Sequence, residues 1–197
     1  MQVDLDHVLF WMDAIRNSKD PYRTTEGFWK SQINSKLWLI ENLKPYINNS
    51  SIDIHGGWVG VLASLLFQSS NNIKNIRSVD IDPVCEEIAT TMNKIEEING
   101  QFCAVTADMC AIRSDADIII NTSCEHLTQD QYDLWLSGMP HNSLIVVQSN
   151  NLKIVEHTRL AHSLEEFKEQ SQLEVLFADE KQFPLYTRYM IIGRARV

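Results

Sequence analysis

A short apolar segment that runs into a glycine-containing turn limits the possible folds of this chain more than any other stretch. Residues 52–60, IDIHGGWVG, have the pattern of a buried strand, a turn with two adjacent glycines and the start of an apolar helix. Further along, residues 79–83 (VDIDP) have the pattern of a second strand that ends in an acid, Asp80. Glycines let the backbone approach a ligand, and a carboxylate at the second strand's end can accept hydrogen bonds from ribose hydroxyls. The pattern predicts a nucleotide-type cofactor site on a parallel sheet.

The rest of the chain alternates short apolar runs with helical segments. Strands are predicted at 51–55, 75–80, 101–106, 117–121, 143–148, 173–178 and 186–193, with helices between most of them. Such alternation predicts an α/β fold with a Rossmann-like, doubly wound, mostly parallel seven-stranded sheet. Residues 179–181 separate the last two strands without a helix, so these strands should form a hairpin with an antiparallel last strand.

Two helices are predicted before the sheet begins. Residues 4–17 repeat apolar side chains at helical spacing, and a second helix should run from Thr24 or Thr25 to Pro45. No long polar linker follows. We therefore expect one domain over 1–197, with an N-terminal helical segment at 1–50 and a cofactor-binding α/β core at 51–197.

Later helices carry recognisable start signals. Asp82 can cap a helix over 83–98, in which Pro83 suits the first position. Residues 128–131 (TQDQ) and 163–166 (SLEE) match capping boxes that open two further helices.

Charge and composition narrow the classes of function. The net charge is −9, and residues 51–197 carry all of the excess, which argues against broad nucleic-acid binding. Arg188, Arg194 and Arg196 are expected to be a solvated strand edge. The four cysteines include no CxxC pair, which favours reduced thiols and a cytoplasmic location. We found no basic leader and no long apolar run, so we expect neither secretion nor a membrane span.

Two other cofactor classes fit the turn poorly. The loop is not GxGxxG, because His55 stands at the first glycine position, and no Gly-Lys-Ser/Thr follows for a phosphate-binding loop. None of the five tyrosines has a lysine four residues later. A nicotinamide-dependent oxidoreductase is therefore disfavoured.

Over residues 36–197 the sequence resembles class I S-adenosylmethionine (SAM)-dependent methyltransferases. The resemblance lies in the turn from Asp53 to Gly60, in the acids Asp80 and Asp108 at successive strand ends, and in the polar segment that begins at Asn121. It implies SAM as the cofactor, bound by Asp53, His55, Gly56, Gly57, Trp58, Gly60, Asp80, Ile81, Asp108, Met109 and Asn121. Because His55 and Val59 replace family glycines, the turn should be one residue longer or shaped to hold Trp58 against the cofactor.

The candidate catalytic residues follow the fourth and fifth strands. Glu125-His126 resembles the Glu-His pair of many small-molecule methyltransferases, so His126 is expected to orient or deprotonate the acceptor, with Glu125 and His157 as further candidates. A metal cluster of these residues with Cys124 has no supporting spacing, and no metal is expected. In the N-terminal segment, Phe28, Trp29, Gln32 and Lys36 are expected to form a lid over the acceptor.

Several alternatives remain open at this stage. The acceptor is expected to be a small molecule or a peptide, since residues 121–124 (NTSC) lack the prolines and aromatic of DNA adenine methyltransferases. Residues 121–126 (NTSCEH), with residues 148–150 (QSN), resemble a small branch often seen in marine bacteriophage genomes. A catalytically inactive binding or regulatory protein of the same fold is the main rival, and aminopropyl-type transfer from SAM is another. The oligomeric state is left open.

Overall fold

The computed structural model describes residues 4–70 and 72–196. The chain separates into two compact units, Met1–Asp108 and Met109–Val197, which are described in turn.

The first unit holds the N-terminal helices and three strands. Its helices are α1 (Leu5–Asn17), α2 (Pro21–Glu26), α3 (Lys30–Leu43), α4 (Val61–Ser69), α5 (Pro83–Met92) and α6 (Lys94–Ile98), and its strands are β1 (Ser50–His55), β2 (Ile73–Asp80) and β3 (Phe102–Thr106). A short 3₁₀ helix, Lys44–Tyr46, follows α3. Strands β1, β2 and β3 pair in parallel, with Asp53 opposite Arg77 in the β1–β2 register.

The second unit holds the remaining four strands. These are β4 (Ile118–Asn121), β5 (Leu144–Asn150), β6 (Leu173–Gln182) and β7 (Thr187–Ala195), with helices α7 (Gln129–Ser137) and α8 (Leu164–Ser171) and a 3₁₀ turn, Cys124–His126. β4 and β5 are parallel, while β7 pairs antiparallel with both β5 and β6. The complete sheet has the order β3-β2-β1-β4-β5-β7-β6. The predicted seven-stranded Rossmann-like sheet and its antiparallel last strand are therefore confirmed.

Helix starts follow the local signals in the sequence. The carboxylate of Asp82 accepts the backbone N–H of Val84, with Pro83 in the first turn of α5. At α7, Thr128 and Gln131 form the reciprocal bonds of a complete capping box. These side chains satisfy N–H groups that have no partner within the first helical turn.

The capping box predicted at α8 forms only in half. Ser163 accepts the backbone N–H of Glu166, as expected. The Glu166 carboxylate, however, accepts the backbone N–H of His162 over 2.7 Å, one residue before the cap.

Two predicted helices are each interrupted. The single helix expected to run to Pro45 is two helices, because α2 already begins at Pro21 and ends before Gly27. A Cβ on Gly27 would lie 2.8 Å from Cγ2 of Val59, so the bend places a residue without a side chain against the turn that follows β1.

The helix predicted over 83–98 is interrupted at Asn93, whose side-chain amide donates to the carbonyls of Ala89 and Gly60.

Buried side chains form the core of each unit. In the first unit, residues 61–66 of α4 are all buried, as their apolar sequence predicts. In the second, the largest fully buried side chains include Trp135, Tyr132 and Phe167, which pack with residues of β4, β5 and β7. Burial of side chains of this size contributes about 1.5–3 kcal/mol each. Among the described residues, no helix has both the length and the apolar character needed to cross a membrane.

Candidate functional site

The glycine turn after β1 is folded onto the end of β2. The backbone N–H groups of Gly56 and Gly57 both donate to the carbonyl of Val79 over 2.9 Å. Gly56, Trp58 and Gly60 have positive φ angles of 70°, 49° and 78°. His55, in contrast, is the last residue of β1 and does not have a positive φ. The conformation of this turn therefore does not require a glycine at position 55, where the resembled family has one.

Two glycines are required by close packing. A Cβ on Gly57 would lie 2.0 Å from Oγ of Ser78, well inside van der Waals contact. A Cβ on Gly60 would lie 2.8 Å from both Ala89 and the side-chain nitrogen of Asn93. These contacts leave Gly56, Gly57 and Trp58 as the half-buried part of the turn, while Val59 and Gly60 are buried. Backbone at the tip of the turn is thus accessible to a ligand.

The carboxylate of Asp80 lies at the end of β2 and contacts this turn. Its Oδ2 accepts the backbone N–H of Trp58 over 2.8 Å, and its Oδ1 accepts the N–H of Asp82 over 3.1 Å. A carboxylate offers about four lone-pair sites, so both oxygens can also accept ribose hydroxyls. Asp80 therefore lies at the end of β2 beside the glycine turn, and its binding to ribose stays a prediction.

Asp53 lies in the buried part of the strand. Arg77 on β2 binds it bidentately, with 3.1 Å from Nε to Oδ1 and a second bond from Nη2 to Oδ2. Nε2 of His55 is 3.9 Å from the same Oδ2. Burial lowers the pKa of His55 to about 4, which outweighs the opposing effect of the Asp53 carboxylate. At neutral pH the imidazole is therefore uncharged. The side chains of Asp53, Arg77 and His55 together stabilise the end of β1, which leads into the glycine turn.

The remaining predicted cofactor residues differ in exposure. In the first unit, Ile81 is 71% exposed and Asp108 is exposed. In the second unit, Asn121 is fully buried at the end of β4. Its side-chain nitrogen is 3.3 Å from Sδ of Met109, and its oxygen accepts the N–H of Ser123. Asn121 thus shapes the loop that carries Glu125 and His126.

In the second unit, Glu125 joins three segments of chain. Its buried carboxylate Oε1 accepts from Nδ2 of Asn150 over 2.6 Å and lies 3.4 Å from Nη1 of Arg188. Its backbone carbonyl accepts the N–H groups of Thr158 and Arg159. These bonds fix the loop after β5 against the loop after β4.

The same bonds bring two histidines together. The rings of His126 and His157 lie edge to face with centroids 4.9 Å apart. Nδ1 of His126 is 3.1 Å from the carbonyl of Glu156, and Nδ1 of His157 is 2.7 Å from the carbonyl of Leu152. With Glu125, their ligand atoms lie within 4.8 Å of one another. The three candidate catalytic residues therefore form one cluster, which their sequence spacing did not indicate.

Cys124 is separate from that cluster. Its thiol is fully buried and donates to the carbonyl of Asn121 over 3.6 Å. Burial raises the pKa of this thiol to about 12, so it is protonated at neutral pH. A protonated buried thiol is a poor nucleophile and a poor metal ligand.

The prediction for one C-terminal arginine was wrong. Arg188 is 7% exposed, and its guanidinium binds Glu125, Gln148 and the carbonyl of Thr122. Arg194 and Arg196 are exposed, as expected. The charges near Arg188 in the sequence did not indicate that it is buried, because its partner Glu125 lies 63 positions away in the chain.

Within the first unit, the N-terminal helices contact α4, α6 and the start of α5 through polar groups that the sequence did not reveal. Nε2 of His7 lies 2.7 Å from the Glu96 carboxylate, both side chains being buried, and Nε1 of Trp11 donates to Ser64. Arg23 binds Asp82, and this hydrogen bond is the main cause that lowers the pKa of the Asp82 carboxyl. A segment of the N-terminal helices therefore reaches the carboxyl end of β2.

The residues expected to form a lid have mixed surroundings. Trp29 is 51% exposed, and Phe28 packs with its ring 5.5 Å from that of Trp11. Nζ of Lys36 donates to the side-chain oxygen of Gln32 over 2.8 Å. The lid function itself stays a prediction.

Comparison with solved structures identifies the architecture. The N-methyltransferase NodS from Bradyrhizobium japonicum WM9, in complex with S-adenosyl-L-homocysteine (SAH), superimposes with a TM-score of 0.67 at 12% identity, covering 95% of this chain and 99% of that one. The chain has a methyltransferase fold. The magnesium protoporphyrin IX methyltransferase ChlM from Synechocystis PCC 6803, with bound SAM, matches with a TM-score of 0.62 at 12% identity over 99% of both chains.

Another solved structure matches this chain over only part of its own length. The pyocyanin biosynthetic protein PhzM matches with a TM-score of 0.67 at 16% identity, covering 94% of this chain, but this chain spans only 62% of PhzM. No protein-family model matches the sequence, and no curated protein matches it significantly.

Proposed function

We propose that this protein is a SAM-dependent methyltransferase that transfers a methyl group to a small molecule or a peptide. The observation that carries the proposal is the bond from the Trp58 N–H to Asp80, which places a carboxylate beside an accessible glycine turn. NodS and ChlM, which share the fold, are described with bound SAH or SAM. Fold and local geometry together favour this cofactor.

The residues of the first unit fit the cofactor chemically. SAM carries a sulfonium and an ammonium group, so an acidic chain suits it better than a dinucleotide with two phosphates. In this proposal Asp80 accepts the ribose hydroxyls, and the tip of the turn from Gly56 to Trp58 approaches the cofactor. Asp108 meets the adenine, as the sequence resemblance implies, and Ile81 offers the adenine an apolar contact.

The second unit would act on the acceptor. Methyl transfer is a displacement at carbon, so positioning and the exclusion of water can supply much of the rate acceleration. His126 is exposed, and its ring is oriented by the carbonyl of Glu156, so Nε2 is available to orient or deprotonate an acceptor. Glu125 and His157 hold this loop in place.

The location of the protein and its place among methyltransferase branches are also part of this proposal. The four cysteines are free thiols, which suits a reducing compartment such as the cytoplasm. The narrower resemblance to a bacteriophage branch stays a prediction from the sequence.

Calorimetric titration of the full chain with SAM and SAH tests the cofactor proposal. We expect saturable binding of both ligands, lost in Asp80→Ala and retained in Asp115→Ala, a matched control at an exposed acid. Absence of binding by the intact protein would overturn the proposal and favour a fold that serves protein contacts. Binding followed by no methyl transfer to any acceptor in a broad small-molecule and peptide screen would favour the regulatory alternative.

A further inference from the structure

Three potential metal ligands converge after β4 and β5. The side chains of Glu125, His126 and His157 each offer one ligand atom, and these atoms lie within 4.8 Å of one another. All three residues belong to the second unit, so the cluster is built within one compact body. Two imidazoles and one carboxylate form a donor set that binds divalent transition metals.

Both histidines are oriented as metal-binding imidazoles are. Nδ1 of His126 faces the carbonyl of Glu156, and Nδ1 of His157 faces the carbonyl of Leu152. A carbonyl only accepts, so each neutral ring donates its proton at Nδ1 and keeps a lone pair at Nε2. Hydrogen bonds of this kind fix the tautomer and the ring orientation of metal-ligating histidines.

Glu125 has one carboxylate oxygen without a hydrogen-bond partner. Oε1 accepts from Asn150 and lies near Arg188, whereas Oε2 is buried and makes no hydrogen bond. The residue is only 4% exposed, so water does not readily solvate this oxygen. Leaving a buried carboxylate oxygen unsatisfied costs free energy. A cation bound at Oε2 would remove that cost, while Asn150 and Arg188 contact the other carboxylate oxygen, Oε1.

We propose that Glu125, His126 and His157 bind a divalent transition metal ion such as Zn²⁺. Ligand atoms of one tetrahedral zinc site lie about 3.4 Å apart, so the three atoms must close by up to about 1.4 Å. His157 lies in the irregular segment 151–162, so its side chain is not held by a helix or strand, and binding of the ion requires it to move by up to that distance. Because His126 is exposed, a fourth coordination position faces solvent. This inference departs from the expectation that no metal is bound, which was drawn from the sequence spacing and from the fact that methyl transfer does not require a metal.

The site also suggests how an acceptor is activated, and this step rests on the proposed methyltransferase function. With the ion bound, Nε2 of His126 is a ligand and cannot accept a proton, so the ion would take over the role that the metal-free site assigns to this histidine. An acceptor hydroxyl or amine bound at the open position would have its pKa lowered by the ion, and its proton would pass to solvent. The acceptor class is then one with an oxygen or nitrogen that can coordinate zinc.

The test is metal titration of the full chain without an affinity tag, after chelator treatment and in metal-free buffer. We expect one Zn²⁺ to bind per chain, measured by calorimetry, and one Co²⁺ to give visible absorption bands. His126→Gln and His157→Gln should each weaken zinc binding at least about tenfold, since each removes one of three ligands. His141→Gln and His162→Gln, at exposed histidines outside the cluster, should leave it unchanged.

Two results would overturn the metal site. One is the absence of saturable Zn²⁺ binding by the folded protein, and the other is binding that survives both His126→Gln and His157→Gln. Circular dichroism of each variant checks that it is folded, and both histidines are at the surface or half-buried, so their replacement should leave the core intact. SAM titration of the same chelator-treated sample keeps the two proposals apart. SAM binding without zinc binding would overturn only the metal site, whereas zinc binding without SAM binding would overturn only the cofactor assignment.

Discussion

The backbone N–H of Trp58 donates a hydrogen bond to Oδ2 of Asp80 over 2.8 Å. This bond joins the glycine turn after β1 to the end of β2. It allows Trp58 to hold a positive φ of 49°, a conformation that is uncommon outside glycine. The acid expected to bind ribose therefore also maintains the shape of the turn, and its two roles can be separated experimentally.

Replacing Asp80 with asparagine should weaken SAM binding while keeping the turn. Asparagine retains one side-chain oxygen that can accept the Trp58 N–H, but its amide nitrogen cannot accept the Asp82 N–H, and it lacks the charge that strengthens hydrogen bonds to hydroxyls. We expect the Kd for SAM to rise about tenfold or more, with only a small fall in melting temperature from the loss of the bond to Asp82. Calorimetry and thermal denaturation provide the two measurements. A large fall in melting temperature with unchanged Kd would show that Asp80 acts only in the turn.

Gly57→Ala should destabilise the protein through one steric contact. The new Cβ would lie 2.0 Å from Oγ and 3.2 Å from Cβ of Ser78, so the turn must shift. Forcing an extra carbon into a packed site costs about 1–3 kcal/mol, and we expect SAM affinity to fall as well. Urea denaturation measures the first effect and calorimetry the second.

Two further variants test whether the contact with Ser78 causes the loss of stability in Gly57→Ala. Gly138→Ala places its Cβ no closer than 3.5 Å to any neighbour and should be nearly neutral. Adding Ser78→Ala to Gly57→Ala removes the closest contact and should recover part of the lost stability. No recovery in the double variant would contradict the steric explanation.

The buried His55 should make stability fall as the solution is acidified. Burial lowers its pKa from 6.5 to about 4, so between these values the unfolded chain binds a proton that the folded chain does not. The unfolding free energy therefore has its full value above pH 6.5 and decreases as the pH falls to about 4. The loss from this residue approaches about 3 kcal/mol. Urea denaturation on both sides of this interval measures it.

His55→Met should remove this component and flatten the pH profile relative to the wild type. His141→Gln, at an exposed histidine, should leave the profile unchanged. Identical pH profiles for the wild type and His55→Met would contradict the assignment of the depressed pKa to His55.

Arg188→Met should strongly destabilise the protein. The arginine is buried beside Glu125, and its removal leaves a buried carboxylate without its charge partner. Breaking a buried ion pair in this way costs about 3–5 kcal/mol. Arg194→Met changes an exposed arginine of the same strand and should have little effect. Equal unfolding free energies for the two variants in urea would contradict the buried pairing.

Local sequence pattern predicted most of the secondary structure. Alternation of apolar runs and helical periods placed all seven strands within a few residues of their observed bounds, because one face of each strand or helix must be buried. The capping residues Asp82 and Thr128 were predicted for the same local reason. The bend between α2 and α3 was missed. The bend includes Gly27, which lies close to Val59 from a distant part of the sequence, and helical periodicity does not encode such a contact.

The amino-acid sequence was enough to predict the strand and helix pattern, the glycine turn and an acid at the end of β2, because these depend on backbone freedom and on neighbours along the chain. Tertiary packing buries Arg188 beside Glu125 and brings His126 against His157, and no local pattern predicts either contact. Those contacts join residues 63 and 31 positions apart in the sequence. They form because the parallel strands β4 and β5 end side by side and β7 returns antiparallel along β5.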